Sequence, residues 1–366
     1  MTRPHRTYLA LLAGAALLIS PAAHGLPAAE LGSEQRLLVR EALQIVGIVG
    51  DQIWPGWGTT PKTTLVVGQE HEFLVALGRR VDVPEDFQDT GERIAGFRVF
   101  SRERTLPITL RAAFEVDGVP MAVVGAWDPT EESPNEWAIS LVQQWFHLLQ
   151  LQRGVGLRVD ALGGEVATRT TWPADYAFPF DDEDVGNAMV LLGGALYDFD
   201  AIAADLPRDS QRSFQAETTR AALQNLRTVL ELKYGPDAYA FFRLRTWRDG
   251  VARYSGVLVS RLLAIAENRR QYESMDGFDR LEEHKTYQDV WRDGYANQIW
   301  LIRTAQFDSE RHLTSFNALG HGMAVMLDVV LPDWKKRYFE SDIWLDDLIA
   351  DGLDSLSETP RASARR

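Results

Sequence analysis

This sequence predicts an α+β fold: a small N-terminal sheet-bearing lobe followed by a mainly α-helical lobe. Three observations carry that expectation. Between residues 62 and 126, short runs of β-branched and aromatic residues alternate with turn signals. Beyond residue 130, apolar residues recur three and four apart, the spacing of a buried helix face. The chain has 366 residues and no cysteine. It must therefore be held by its core rather than by disulfides, and its length suffices for that.

Residues 1–25 are expected to be a secretory signal peptide. Arg3 and Arg6 give a positive start, Tyr8 to Ser20 form a short apolar run, and Ala23-His24-Gly25 offers a small-x-small cleavage site. Leu26 would begin the mature chain; an uncleaved anchor helix is the alternative. No later segment reads as long or apolar enough to span a bilayer, so the mature protein is expected to be exported, periplasmic or extracellular.

The N-terminal lobe is assigned to 26–130. Leu37, Leu38, Val39, Leu43, Ile45 and Val46 share one broad face of a helix over 33–52, which Pro55, Gly56 and Gly58 follow. Strands are predicted at Thr63 to Val67, Ile94 to Phe100, Ile108 to Val116 and Val119 to Val124. Asp117-Gly118 joins the last two as a hairpin turn. Glu70-His71-Glu72 reads as a solvated strand edge.

The helical lobe is assigned to 131–353, with a soft boundary near 128–133. Ser133-Pro134-Asn135-Glu136 is a capping box that opens a helix running to Arg153, where Gly154 stops it. Ile139, Val142, Phe146 and Leu149 form its buried stripe, while Gln143 and His147 lie one turn apart on one face. Further helices are predicted at about 210–233, 237–267, 286–306, 315–330 and 342–351, with 354–366 a disordered polar tail.

The net charge is −14, and the leader contributes two arginines and no acid, so the mature chain is more acidic still. That disfavours nucleic acid and anionic membrane surfaces, which attract positive fields. Asp181-Asp182-Glu183-Asp184 lacks the ligand spacing and central glycine of a calcium loop and reads as a turn before a helix. No Gly-x-Ser-x-Gly elbow or glycine-rich phosphate loop occurs, and no spacing singles out a glycosidase acid pair.

The informative stretch is Leu141-Val142-Gln143-Gln144-Trp145-Phe146-His147. In H-E-x-x-H, two histidines one helical turn apart bind zinc and the glutamate is the general base. Here Gln143 holds the place of the first histidine, Gln144 that of the base, and His147 is kept. A carboxamide cannot take a proton from water near neutral pH.

Three further stretches accompany it in order: Ile53-Trp54-Pro55-Gly56-Trp57 with Thr63 to Val67 and Glu70 to Leu74, then Phe242 to Tyr254, and a C-terminal block. That block comprises Asn317 to Gly322, Leu327-Asp328, Pro332 to Lys335 and Leu345 to Leu348. With Glu136 to Val142 they resemble a group of exported bacterial zinc-peptidase-like proteins related to the gluzincins. The resemblance covers most of the mature chain. It implies a helix carrying a His-Glu-His-Phe-His-Gln type sequence at 143–148 and a Glu-Gly-x-Ala-x-Tyr segment whose glutamate is the third metal ligand. On that segment Asp249 stands for the glutamate and Tyr254 for the tyrosine. The aspartate stem is shorter by roughly 1.5 Å, against a tolerance of about 0.2 Å in zinc–ligand distances. Trp145 replaces a further histidine.

The resemblance therefore implies a degenerate, non-catalytic metallopeptidase scaffold with no metal or other cofactor. Gln143, His147, Asp249, Tyr254 and His321 would line one cleft for a peptide or protein partner, with Gln144 at its rim. The alternative is a working hydrolase, using zinc through His147, Asp249 and one unassigned ligand, or paired acids without metal.

Overall fold

A computed structural model describes residues 29–76, 83–154, 176–205, 209–304, 312–340 and 343–363; the expected leader at 1–25 lies outside them. Helix α1 (Ser33–Ile53) buries Leu38, Ala42, Ile45, Val49 and Ile53, a stripe three and four apart. Six strands follow: β1 (Thr64–Val67), β2 (His71–Ala76), β3 (Gln88–Ile94), β4 (Phe97–Glu103), β5 (Arg111–Val116) and β6 (Val119–Gly125). They form one sheet in the order β3-β4-β2-β1-β6-β5, antiparallel except where β1 pairs with β6.

Alternation along the strands sorts their side chains onto two faces. Val66, Val75, Val99, Ala122 and Val124 join the core shared with the helices. Leu65, Leu74, Phe100, Met121 and Val123 form a smaller cluster on the other face. Asp117 (φ 51°) and Gly118 (φ 79°) make the two-residue turn of the β5–β6 hairpin, as the Asp-Gly pair predicts.

Two expectations for this lobe need correction. The run from Ile94 to Phe100 is not one strand: Ala95 (φ 49°) and Gly96 (φ 87°) turn the chain between β3 and β4. Glu70-His71-Glu72 is not a solvated edge either, because β2 pairs on both sides and Glu72 is fully buried. The Glu72 carboxylate accepts bonds from Arg102 Nε at 2.7 Å, Thr105 N at 2.7 Å and Leu106 N at 2.5 Å. Burial pushes its pKa up, but these bonds outweigh that and hold it below the usual carboxylate value.

Helix α2 (Pro134–Gln152) begins at the predicted capping box, with Ser133 and Glu136 exchanging bonds. Next come α3 (Glu183–Asp205), α4 (Asp209–Tyr234) and α5 (Pro236–Arg245), a π-helical turn at Thr246–Gly250, then α6 (Val251–Asn268). The chain continues with α7 (Tyr287–Thr304), α8 (His312–Val330), α9 (Trp334–Arg337) and α10 (Leu345–Ser363). Helix α3 is not among the predicted helices, although the acid run reads as a turn before one. The acid run marks its start: Asp182 Oδ1 accepts from the backbone of Asp184 at 2.9 Å and Val185 at 3.1 Å.

Helix α10 runs to Ser363, well beyond the predicted end near 351 and into the segment expected as a disordered tail. Gly352 packs within it against the Val330 backbone, where a Cβ would meet the carbonyl oxygen at 3.0 Å. It is a close-packing residue rather than a stop. One core extends from Leu31 through the sheet to Leu353, so the boundary near 130 is a change of secondary structure inside a continuous core. Among the described residues no helix is long and apolar enough to cross a membrane.

Candidate functional site

Helix α2 is the frame of the site, and its two faces do different things. Trp137 and Trp145 fix one face to the sheet: their indole N–H groups donate to Gly125 O at 2.9 Å and to Thr64 Oγ1 at 2.8 Å. Trp145 thus points away from the site. The opposite face presents Gln143, His147 and Gln150, at i, i+4 and i+7, toward α6 and the π-turn.

The π-turn interrupts what the sequence predicts as one helix over 237–267, and it carries Asp249. The Thr246 hydroxyl bonds back to Phe242 O at 2.9 Å, competing with the regular ladder. The carbonyls released by the wider turn are satisfied from outside. Tyr338 Oη donates to Trp247 O at 2.6 Å, and Gln150 Nε2 donates to Arg248 O at 2.9 Å. Gly250 lies directly against Gly320 of α8, so the turn is clamped backbone to backbone.

Gln150 also determines the state of His147. Its Nε2 serves Arg248 O and Tyr338 Oη, the latter at 2.6 Å, so Oε1 must face His147 Nδ1 at 2.8 Å and needs a donor there. The proton of the neutral imidazole therefore sits on Nδ1 and leaves the Nε2 lone pair free. Burial lowers the His147 pKa most, Asp249 opposes, and Arg248 lowers it further, with the net value about 4. His147 and Asp249 are thus electrostatic neighbours although about a hundred residues separate them.

Asp249 is held by two cations. Arg245 Nε lies 2.9 Å from Oδ2 and Arg248 Nε lies 3.7 Å from Oδ1, with the Arg245 and Asp249 side chains both largely buried. The Arg245–Asp249 contact is an ion pair without hydrogen-bond alignment. Zinc, which the alternative reading would place on His147 and Asp249, does not fit these residues. One imidazole and one aspartate give too few donors for a tetrahedral ion, and guanidinium groups already occupy the aspartate. Among the described residues no group of three His, Asp or Glu side chains is placed to hold a metal.

The single cleft expected for the five lining residues is two clefts, on either side of α6. The first, about 340 Å³, contains Gln143 with Arg253 and Gly256. The second, about 390 Å³, contains Tyr254 and His321 with Trp291 and Asp328. The cause is helical geometry: Arg253 and Tyr254 are adjacent in sequence and so point about 100° apart. His147 and Asp249 line neither. Nor does Gln144, which is 6% exposed rather than at a rim, because it shares a stripe with the buried Leu141 and Leu148.

In the second cleft, Tyr254 Oη donates to Asp328 Oδ2 at 2.5 Å, and its ring lies 6.1 Å from that of His321. His321 is 2% exposed, and neither ring nitrogen has a hydrogen-bond partner among the described residues. Burial, aided by Arg253, lowers its pKa to about 3. Its flanking glycines are packing residues: Gly320 meets Thr246 and Gly250, and Gly322 meets Leu196 and Ile302.

Sequence reasoning missed Arg245, Arg248, Gln150 and Arg253. The i, i+4 spacing of Arg245 and Asp249 was a legible signal. So was an arginine at 253 on the same helical face as Gly256, Val257 and Ser260. Neither known family models nor curated proteins nor solved structures match this chain.

Proposed function

We propose that this is an exported, non-catalytic relative of zinc metallopeptidases that keeps a cleft for a peptide or protein partner. The observation that carries the reading is the state of Asp249. It sits where the resemblance would place a metal ligand, beside the α2 face that bears Gln143 and His147, and it is neutralised by Arg245 and Arg248. Gln143 and Gln144 supply neither imidazole nor base. An acidic exterior speaks against nucleic acid as the partner. Export rests on the sequence of the leader, and N-terminal sequencing of the mature protein, expected to begin at Leu26, tests it.

One observation favours the rival, a working hydrolase. The tautomer fixed by Gln150 leaves the His147 Nε2 lone pair open as a metal ligand or base. The two readings part on rebuilt variants. Gln143→His with Asp249→Glu should not bind zinc while the arginines remain, and adding Arg245→Gln and Arg248→Gln should create binding measurable by calorimetry. Zinc-dependent peptide cleavage by the unaltered protein, abolished by His147→Ala, would establish the rival.

A further inference from the structure

The cleft beside Gln143 ends on a cation without a counter-charge. Arg253 lines it beside the buried Gly256, Ile139 and Val290, and no acid pairs with it among the described residues. Its partner is Gln298, whose Oε1, in the orientation that satisfies both groups, accepts from Nε at 2.9 Å and Nη2 at 3.2 Å. Burial lowers the Arg253 pKa, and nothing raises it. Keeping a guanidinium out of water without a carboxylate is costly, and an incoming anion would relieve that cost. Gln143 stands beside it with its Oε1 against Gly256 and makes no hydrogen bond among the described residues.

The rim has the opposite sign. Glu132 is paired with Arg111, and Glu136 is occupied by Ser133 and Lys285. The exposed Glu131 and Asp293 remain, the latter only 3.8 Å from Lys285 in a loose contact. A simple anion is repelled by this mouth, whereas a ligand with a positive group is drawn to it. The volume of about 340 Å³ lies within the range of small-molecule sites, roughly 300–1,000 Å³. Ile139, Val257 and Val290 give the wall an apolar patch for one side chain.

We propose that this cleft binds a zwitterionic short peptide, with its terminal carboxylate on Arg253 and its terminal ammonium at Glu131 and Asp293. This rests on the peptide-binding reading above and names its ligand. The Arg253 fork and the Gln143 amide together provide donors for both carboxylate oxygens.

The test is calorimetry on the full mature chain with the dipeptide alanyl-leucine, its C-terminal amide and its N-acetyl form. The free dipeptide should bind, the amide should bind at least ~tenfold more weakly, and the acetylated form should lose severalfold. Arg253→Gln should abolish the preference for the free carboxylate, and Arg253→Lys should keep part of it. Glu131→Gln with Asp293→Asn should weaken the free dipeptide but not its acetylated form. Equal affinity for acid and amide, or no heat with the free dipeptide at millimolar concentration, overturns the proposal. Because the ligand series uses the unaltered protein, the answer does not depend on Arg253→Gln folding. Failure of the series with no zinc-dependent cleavage leaves the scaffold reading standing. Cleavage of the dipeptide with a retained preference for the carboxylate overturns the scaffold reading alone.

Discussion

Replacing Gly320 by alanine tests the clamp that sets the site. A Cβ there would lie 2.3 Å from Thr246 O and 2.7 Å from Gly250 Cα. Ordinary contacts between carbon and oxygen are about 3.3 Å or longer, so α8 and the π-turn must separate by about 1 Å. Overpacking costs about 1–3 kcal/mol, and the upper end applies because both surfaces are backbone that cannot swing aside. Alanine recovers about 1 kcal/mol of helix propensity relative to glycine. The net expectation is a loss of about 2 kcal/mol. Two controls isolate the steric part. Gly194 in α3 has nothing within 4 Å of an added Cβ, so Gly194→Ala should gain up to about 1 kcal/mol. Gly322 meets the Leu196 and Ile302 side chains at 3.2 to 3.4 Å, which can yield, so Gly322→Ala should be near neutral. Urea denaturation read as midpoints at constant m orders the three. Gly320→Ala as stable as the parent would show that the two backbones do not touch.

Asp249→Asn should cost about 3 kcal/mol, because it leaves Arg245 buried without its counter-charge, and adding Arg245→Met should restore most of it in a double-mutant cycle. Glu72→Gln should cost about 2 kcal/mol at neutral pH, because Arg102 Nε, Thr105 N and Leu106 N lose their shared buried carboxylate while Arg102 keeps Asp86 and Asp117. Folding lowers the Glu72 pKa, so the advantage of the parent is full above about 4.5 and should vanish as pH falls through the lower folded value. Melting curves of the pair from pH 7 to 3 check this, and a constant difference would contradict it. His147 falls from 6.5 to about 4 on folding, so the unfolded chain binds more protons between those values. Its contribution, on the order of 3 kcal/mol, is full above about pH 6.5 and lost as pH falls to about 4, with His321 adding to the same loss. An NMR titration placing His147 at pH 6 or higher would refute it.

Local chemistry was legible in the sequence. The α2 capping box and the Asp117-Gly118 turn depend on neighbours in the chain, and both stand where they were predicted. Tertiary context hid the rest. The Gly193-Gly194 pair gives α3 a weak helix signature. The central place of β2 depends on Arg102, thirty residues away, which makes burial of Glu72 tolerable. The π-turn depends on bonds from Gln150 and Tyr338 that no local pattern announces. At the site, the spacing of Gln143 and His147 placed them on one face of α2, turned toward α6. The division into two clefts follows from the side-by-side packing of α2, α6 and α8, which spacing along one helix does not contain.

Zinc binding by the unaltered protein tests the central claim most directly. Purified protein, dialysed against micromolar zinc and then assayed for metal and melted, should hold no stoichiometric ion and show no rise in Tm, because a ligand that does not bind the native state cannot stabilise it. One equivalent of zinc with a melting shift of several degrees, both lost in His147→Ala, would contradict the account.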